Sequence, residues 1–386
     1  MLVTIWFLLW TLLWAVYFIL DGFDLGSGTL MPFLARNDTE KRYIYNASGP
    51  FWDGNEVWLI TAGGVTFAAF PLAYATMFSA LYAPLLILLF ALIFRAAAFE
   101  FRNKVQSDGW RRLWDICLVL GNFLPALLLG VAFANLFRGI PIDADGVYHG
   151  SILTLLNPYG LAGGVLFVLM FAFHGALWLE LRTVDELRER ARKAAFIIWP
   201  LLLSMTLLFI VLTAVYTNTF ATFRSHPVMY VALVLAVVGL VAARLTLGNG
   251  AMLAAWLCSA LFILGATFFG VLGMYPNLII SSLDPAYSVT LANGASSPLT
   301  LQIMLGVALV AVPVVILYQL WVYVASPPPP PPEDRGPHPP SGPRPGNIPH
   351  NARAPLHPRA PLCAFPRGIL STLTAASSLF LARLTS

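Results

Sequence analysis

Apolar runs of close to twenty residues, almost free of charge, recur from the first residues to about position 325. A run of that length crosses ~30 Å of hydrocarbon as a helix, and a helix satisfies its own backbone polar groups in lipid. Hydrophobic residues make up 59% of the chain and charged residues 10%, more apolar surface than a soluble domain needs. The chain therefore reads as an all-α, polytopic membrane protein. Nine spans are expected, at about 2–20, 56–76, 78–101, 113–137, 160–181, 195–216, 228–246, 251–273 and 301–325. The first has no basic leader and no small-residue cleavage site, since Asp21-Gly-Phe-Asp24 follows it, and it reads as a retained span.

Loop charge sets the expected orientation. Arg36, Lys41 and Arg42 follow the first span, Arg102, Lys104, Arg111 and Arg112 the third, and Arg182, Arg188, Arg190, Arg192 and Lys193 the fifth. The loops after even-numbered spans carry only Arg138 and Arg224. The excess of basic residues places the first set in the cytoplasm, with the N-terminus outside and the C-terminus inside. Loops near 138–158 and 274–300 are then external and suited to packing against a partner or the membrane interface. Two domains are expected: a membrane domain, 1–325, and a tail, 326–386. The tail opens with six consecutive prolines, 327–332, and is expected to be polyproline-like or disordered.

The densest chemistry lies in Pro50–Gly64, where Trp52, Asp53, Asn55, Glu56 and Trp58 enter an apolar segment. Asp53 followed three residues later by Glu56 fits a helix N-cap with a capping box. An acid at the mouth of a membrane helix equally suits proton passage. Asp21, Asp24, Arg95, Glu100 and Asp115 fall at the same expected cytoplasmic side, and none at mid-bilayer. Arg95 and Glu100 also read as an interfacial snorkelling pair. Glycines at 22, 26 and 28 and at 160, 163 and 164 are expected to let helices approach closely.

Redox ligands are scarce. Of six histidines only His174 lies within a span, and one histidine does not supply several haems; it reads as a packed residue. Cys117, Cys258 and Cys363 form no metal or disulfide motif. No nucleotide fingerprint or nucleophile elbow is present, and nothing suggests nucleic acid. A transporter usually places its polar groups near the midplane. Acids gathered at one face instead favour a cofactor-poor subunit of a larger complex, with a stand-alone transporter coupled through Asp24 and Asp53 as the alternative.

Several motifs together resemble subunit II of cytochrome bd quinol oxidase. They are Asp21-Gly-Phe-Asp24-Leu-Gly26, Arg36-Asn-Asp-Thr-Glu40, Trp52-Asp-Gly-Asn55 running into Val57–Gly64, Phe94-Arg95, and Trp110-Arg with Trp114-Asp115. Gly130-Val-Ala-Phe133 with Asn135, Leu156–Gly160, Arg182–Leu187 and Ser297-Pro-Leu-Thr300 continue the series over residues 1–325. The resemblance implies two four-helix bundles plus one extra helix. It implies a complex with subunit I, which carries haem b, haem d and the quinol site, and with a small single-span accessory subunit. No cofactor or catalytic residue is expected in this chain. The resemblance carries a proton-pathway role to Asp53, and places Trp52, Asp24, Arg95 and Asp115 along the same polar region. Glu56 stands where the family also uses Gln. The proline-rich tail departs from the family pattern.

Overall fold

The computed structural model describes residues 1–325; the tail expected at 326–386 lies outside the described residues. Eleven principal helices carry the chain: α1 Leu2–Leu34, α2 Asp38–Ser48, α3 Trp52–Ala69, α4 Pro71–Ala80, α5 Tyr82–Phe101, α6 Asp108–Arg138, α7 Pro158–Arg182, α8 Asp185–Tyr216, α9 Tyr230–Gly248, α10 Met252–Gly273 and α11 Pro298–Ala325. Among the described residues, eight are long and apolar enough to cross a membrane: α1, α5, α6, α7, α8, α9, α10 and α11.

The second expected span accounts for the difference from nine. Instead of one helix over 56–76, α3 stops at Ala69 and α4 restarts at Pro71. Proline has no N–H to give the preceding turn and disfavours a helical residue before it. The break leaves the Ala69 carbonyl without a helical partner, and it accepts from Ser296 N at 2.9 Å, so a later loop stabilises the break. Asp53, Asn55 and Glu56 in its first turns also leave α3 less apolar than its neighbours.

The first span is longer than expected. α1 does not end at Leu20 but continues through Asp21 and Asp24 to Leu34. It runs through the centre of the molecule, packed against α3, α6, α7 and α10. That position is why Asp21–Gly28 is buried without interruption. The expected close approach of glycines is present: a Cβ at Gly26 would overlap the Phe171 carbonyl of α7, and one at Gly175 would overlap the backbone of Gly26 and Ser27. Gly130 of α6 likewise faces the backbone of Gly163 and Gly164. The basic connector over 187–193 is helical and continuous with the sixth expected span as α8.

The loops expected to be external pack on each other. Ile140 N donates to Ile280 O at 3.0 Å, Ser282 N to Ile140 O at 2.9 Å, and Ser281 Oγ to Ile142 O at 2.6 Å. A two-stranded antiparallel ribbon, β1 Asn277–Ile279 with β2 Val289–Thr290, completes this cap.

Candidate functional site

Four helices bring their polar residues to one buried place. α1 contributes Asp21 and Asp24, α3 contributes Asn55 and Glu56, α5 contributes Arg95, and α11 contributes Gln319 and Tyr323. Asp21, Asn55 and Arg95 are fully buried, Asp24 nearly so, and the Glu56 side chain is 21% exposed. Arg95 Nη2 donates to Asp21 Oδ1 at 2.8 Å and to Glu56 Oε1 at 2.5 Å. One guanidinium therefore ties three helices together. Asn55 Nδ2 donates to Asp24 Oδ2 at 2.7 Å. Asn55 Oδ1 in turn accepts from Gln319 Nε2 and from Tyr323 Oη, both at 3.0 Å. Trp58 Nε1 donates to Gln319 Oε1 at 2.7 Å.

Two expectations change here. Arg95 does not snorkel with Glu100; it turns inward to Asp21 and Glu56, while Glu100 is exposed. The capping box at Asp53 and Glu56 does not form. The N-cap of α3 is Phe51, without a side-chain bond, and Glu56 is taken by Arg95. A side-chain cap exists one helix earlier: Asn37 Oδ1 accepts from Glu40 N at 2.9 Å, and Glu40 Oε2 accepts from Arg36 N, just before the cap, at 2.7 Å.

Asp53 sits in the first turn of α3, exposed, with no hydrogen bond or ion pair among the described residues. Its charge faces Glu56, one turn along the helix. Beside it Trp52 stacks flat on Phe99, centroids 5.4 Å apart and planes at 2°.

Asp115 belongs to a second cluster. Its carboxylate accepts from Arg102 Nε at 2.6 Å and Lys41 Nζ at 2.9 Å, and Arg102 Nη2 reaches Asp38 Oδ1 at 2.6 Å. Arg102 lies seven residues beyond Arg95, about 10 Å of helix rise, so Asp115 is not gathered with Asp24 and Arg95. Burial pushes the Asp38 carboxyl up, but the hydrogen bond and charge of Arg102 outweigh it and hold Asp38 below its ordinary value. Glu40 behaves alike: burial raises it, and bonds from the Arg36 backbone and the Arg190 side chain bring it lower. Arg190 also donates to Leu34 O, fastening α8 to the end of α1.

His174 is fully committed. Nε2 faces Ile19 O at 3.1 Å and Nδ1 faces Ser259 Oγ at 2.5 Å, with the ring stacked on Trp256. Both ring nitrogens being engaged, His174 does not fit as a haem ligand. His149 and His226 lie in loops.

Gln319 and Tyr323 had no place in the site expected from sequence, and Asn55 stood there only as part of the Trp52–Asn55 motif, without a role. The available signal was Gln319, a side-chain amide in the apolar second half of the last span, since a polar group within a membrane helix needs a partner.

The fold and this site define a class: a multi-pass helical membrane protein whose ionisable groups form an internal network. The chain matches the family described as cytochrome bd terminal oxidase subunit II over residues 2–326. It is 39% identical over 328 residues to cytochrome bd ubiquinol oxidase subunit 2 of Bacillus subtilis, covering 83% of this chain and 94% of that one. It is 36% identical over 358 residues to cytochrome bd-I ubiquinol oxidase subunit 2 of Escherichia coli K12, covering 83% and 92%. The bd oxidase structure from Geobacillus thermodenitrificans contains a chain of the same fold, with TM-score 0.67 at 17% identity over 84% of this chain and 97% of that one. This chain belongs to the cytochrome bd terminal oxidase subunit II family.

Proposed function

We propose that the chain is the non-haem subunit of a bd-type quinol oxidase in a bacterial inner membrane, supporting assembly and carrying protons from the cytoplasm toward the site of dioxygen reduction. Family membership supports the complex, with haems b and d and the quinol site in subunit I, and tells against a stand-alone transporter. In this reading the polar α3 is counted as the ninth crossing, the N-terminus faces outside and the C-terminus inside, and the helices form two four-helix bundles plus one extra helix. A small single-span subunit, lipid and quinone complete the expected surroundings.

One observation carries the proton role. An exposed acid, Asp53, stands one turn from Glu56, which shares Arg95 with the fully buried Asp21. One guanidinium does not balance the carboxylates of Asp21, Asp24 and Glu56, and unbalanced buried charge is neutralised by taking up protons. Arg95 Nε and Nη1 have no acceptor among the described residues; buried donors of that kind are ordinarily met by water. The cluster thus has the makings of a hydrated carboxylate relay running inward from Asp53. Protons consumed in forming water would come from the cytoplasmic side, separating charge without a pumping step.

The test is purification of the tagged chain with its partners, followed by a reduced-minus-oxidised haem spectrum and quinol-dependent oxygen uptake. Wild type is expected to co-purify with b and d haem bands and activity. Asp53→Asn is expected to slow turnover by at least about tenfold with haem content retained. Because Asp53 caps nothing, its loss leaves α3 intact. Turnover per haem equal to wild type would remove the proton role, and a haem-free single chain would remove the oxidase reading.

A further inference from the structure

α11 is the least enclosed of the long helices; among its described residues only Leu301 is buried. It is fastened to the body at two places. Trp6 Nε1 donates to Leu301 O at 3.0 Å near one end. Near the other, Gln319 and Tyr323 reach into the acid cluster.

The hydrogen bonds at that second place have a defined direction. An indole N–H only donates. Trp58 therefore fixes Gln319 with Oε1 toward Trp58 and Nε2 toward Asn55. Tyr323 donates to the same Asn55 oxygen, and its ring is held by stacking on Phe51, centroids 4.6 Å apart. With two donors on Oδ1, Asn55 has one orientation, and its Nδ2 points at Asp24. The direction set at Trp58 thus passes through Gln319 and Asn55 to a buried carboxylate. Were Asn55 to flip, its oxygen would face the Asp24 oxygen, and Asp24 would need a proton to keep the contact.

We propose that Gln319 and Tyr323 are positioning residues for proton transfer: by locking the Asn55 amide they keep Asp24 supplied with a hydrogen-bond donor, so that α11 sets the pH at which Asp24 loads. The inference rests on the proton role proposed for this cluster. The other groups facing Asp24 are Asp21 on its own helix, Arg95 on α5 and Ser48 on α2. Glu56 is joined through Arg95, and Arg182 of α7 faces Tyr323. Tyr323 itself also faces Asp24 and Asp21, whereas Gln319 meets Trp58, Gly54 O and Asn55 and none of the acids, so loss of Gln319 acts through Asn55.

The experiment uses the assembled oxidase carrying Gln319→Met or Tyr323→Phe, with Asp24→Asn and Asp53→Asn made alongside. Quinol-dependent oxygen uptake, expressed per haem, is measured from acid to alkaline pH. Tyr323→Phe keeps the stack on Phe51 and removes only the donor. Both α11 variants are expected to move the limb of the profile governed by the relay toward higher pH by about one unit, because a hydrogen bond to the charged form is lost. Expressing rates per haem separates this from poor assembly, which lowers yield without moving the limb. If both profiles coincide with wild type while Asp24→Asn and Asp53→Asn still slow turnover, α11 is only structural and the inference is overturned. If neither aspartate variant slows turnover, the proton role itself fails and the positioning role with it.

Discussion

Replacing Arg95 with methionine tests the centre of the network. The guanidinium is fully buried and meets Asp21 at 2.8 Å and Glu56 at 2.5 Å. Methionine fills much of the volume but removes the only cation that pairs with Asp21 among the described residues. Breaking a buried pair from one side costs about 3–5 kcal/mol, because the remaining buried charge is left without its counter-charge. Against a typical stability of about 5–15 kcal/mol that is a large fraction. It corresponds to a fall of about 5–10 °C in the unfolding midpoint. Thermal unfolding of the purified complex, followed by circular dichroism at neutral pH, reads this shift. The decisive comparison adds Asp21→Asn and Glu56→Gln to Arg95→Met. Removing all partners together is often close to neutral, so the triple variant should regain at least about half of the loss. A midpoint for Arg95→Met within about 1 °C of wild type, or a triple variant less stable than the single one, would refute the assignment of Arg95 as the shared counter-charge.

Two further outcomes follow from other parts of the fold. Gly26→Ala should lose most of the assembled protein on a membrane-extraction yield assay, because the new methyl falls on the Phe171 carbonyl and α1 and α7 must separate. Glu40 is held below its ordinary value of 4.5, so its stabilising contribution is fully present above about pH 4.5 and is lost as pH falls through the lower folded value. The unfolding midpoint of wild type should therefore drop below about pH 4.5, and Glu40→Gln should flatten that part of the curve.

The sequence alone determined the class of protein, most helix positions and the region where acids collect. Those features follow from hydropathy and residue type over windows of one helix, which a linear reading samples directly. Asp24 and Arg95 stood out in the sequence as ionisable groups beside apolar runs and are joined to the buried network, while Asp53 lies exposed outside its hydrogen bonds. Tertiary structure decided which groups meet. Arg95 chose Asp21, 74 positions away, and Glu56, 39 away, over Glu100 on its own helix. Asp115 went to Arg102 and Lys41 in a separate cluster. The end of α1 moved to Leu34, since surrounding helices covered residues that hydropathy alone placed at a boundary. The break at Phe70 is partly local, from Pro71, and partly distant, from Ser296. Gln319 met Asn55 across 264 positions. Partner choice of this kind depends on the rotation and depth of each helix against its neighbours, and these are set by glycine contacts and side-chain packing among all the helices at once.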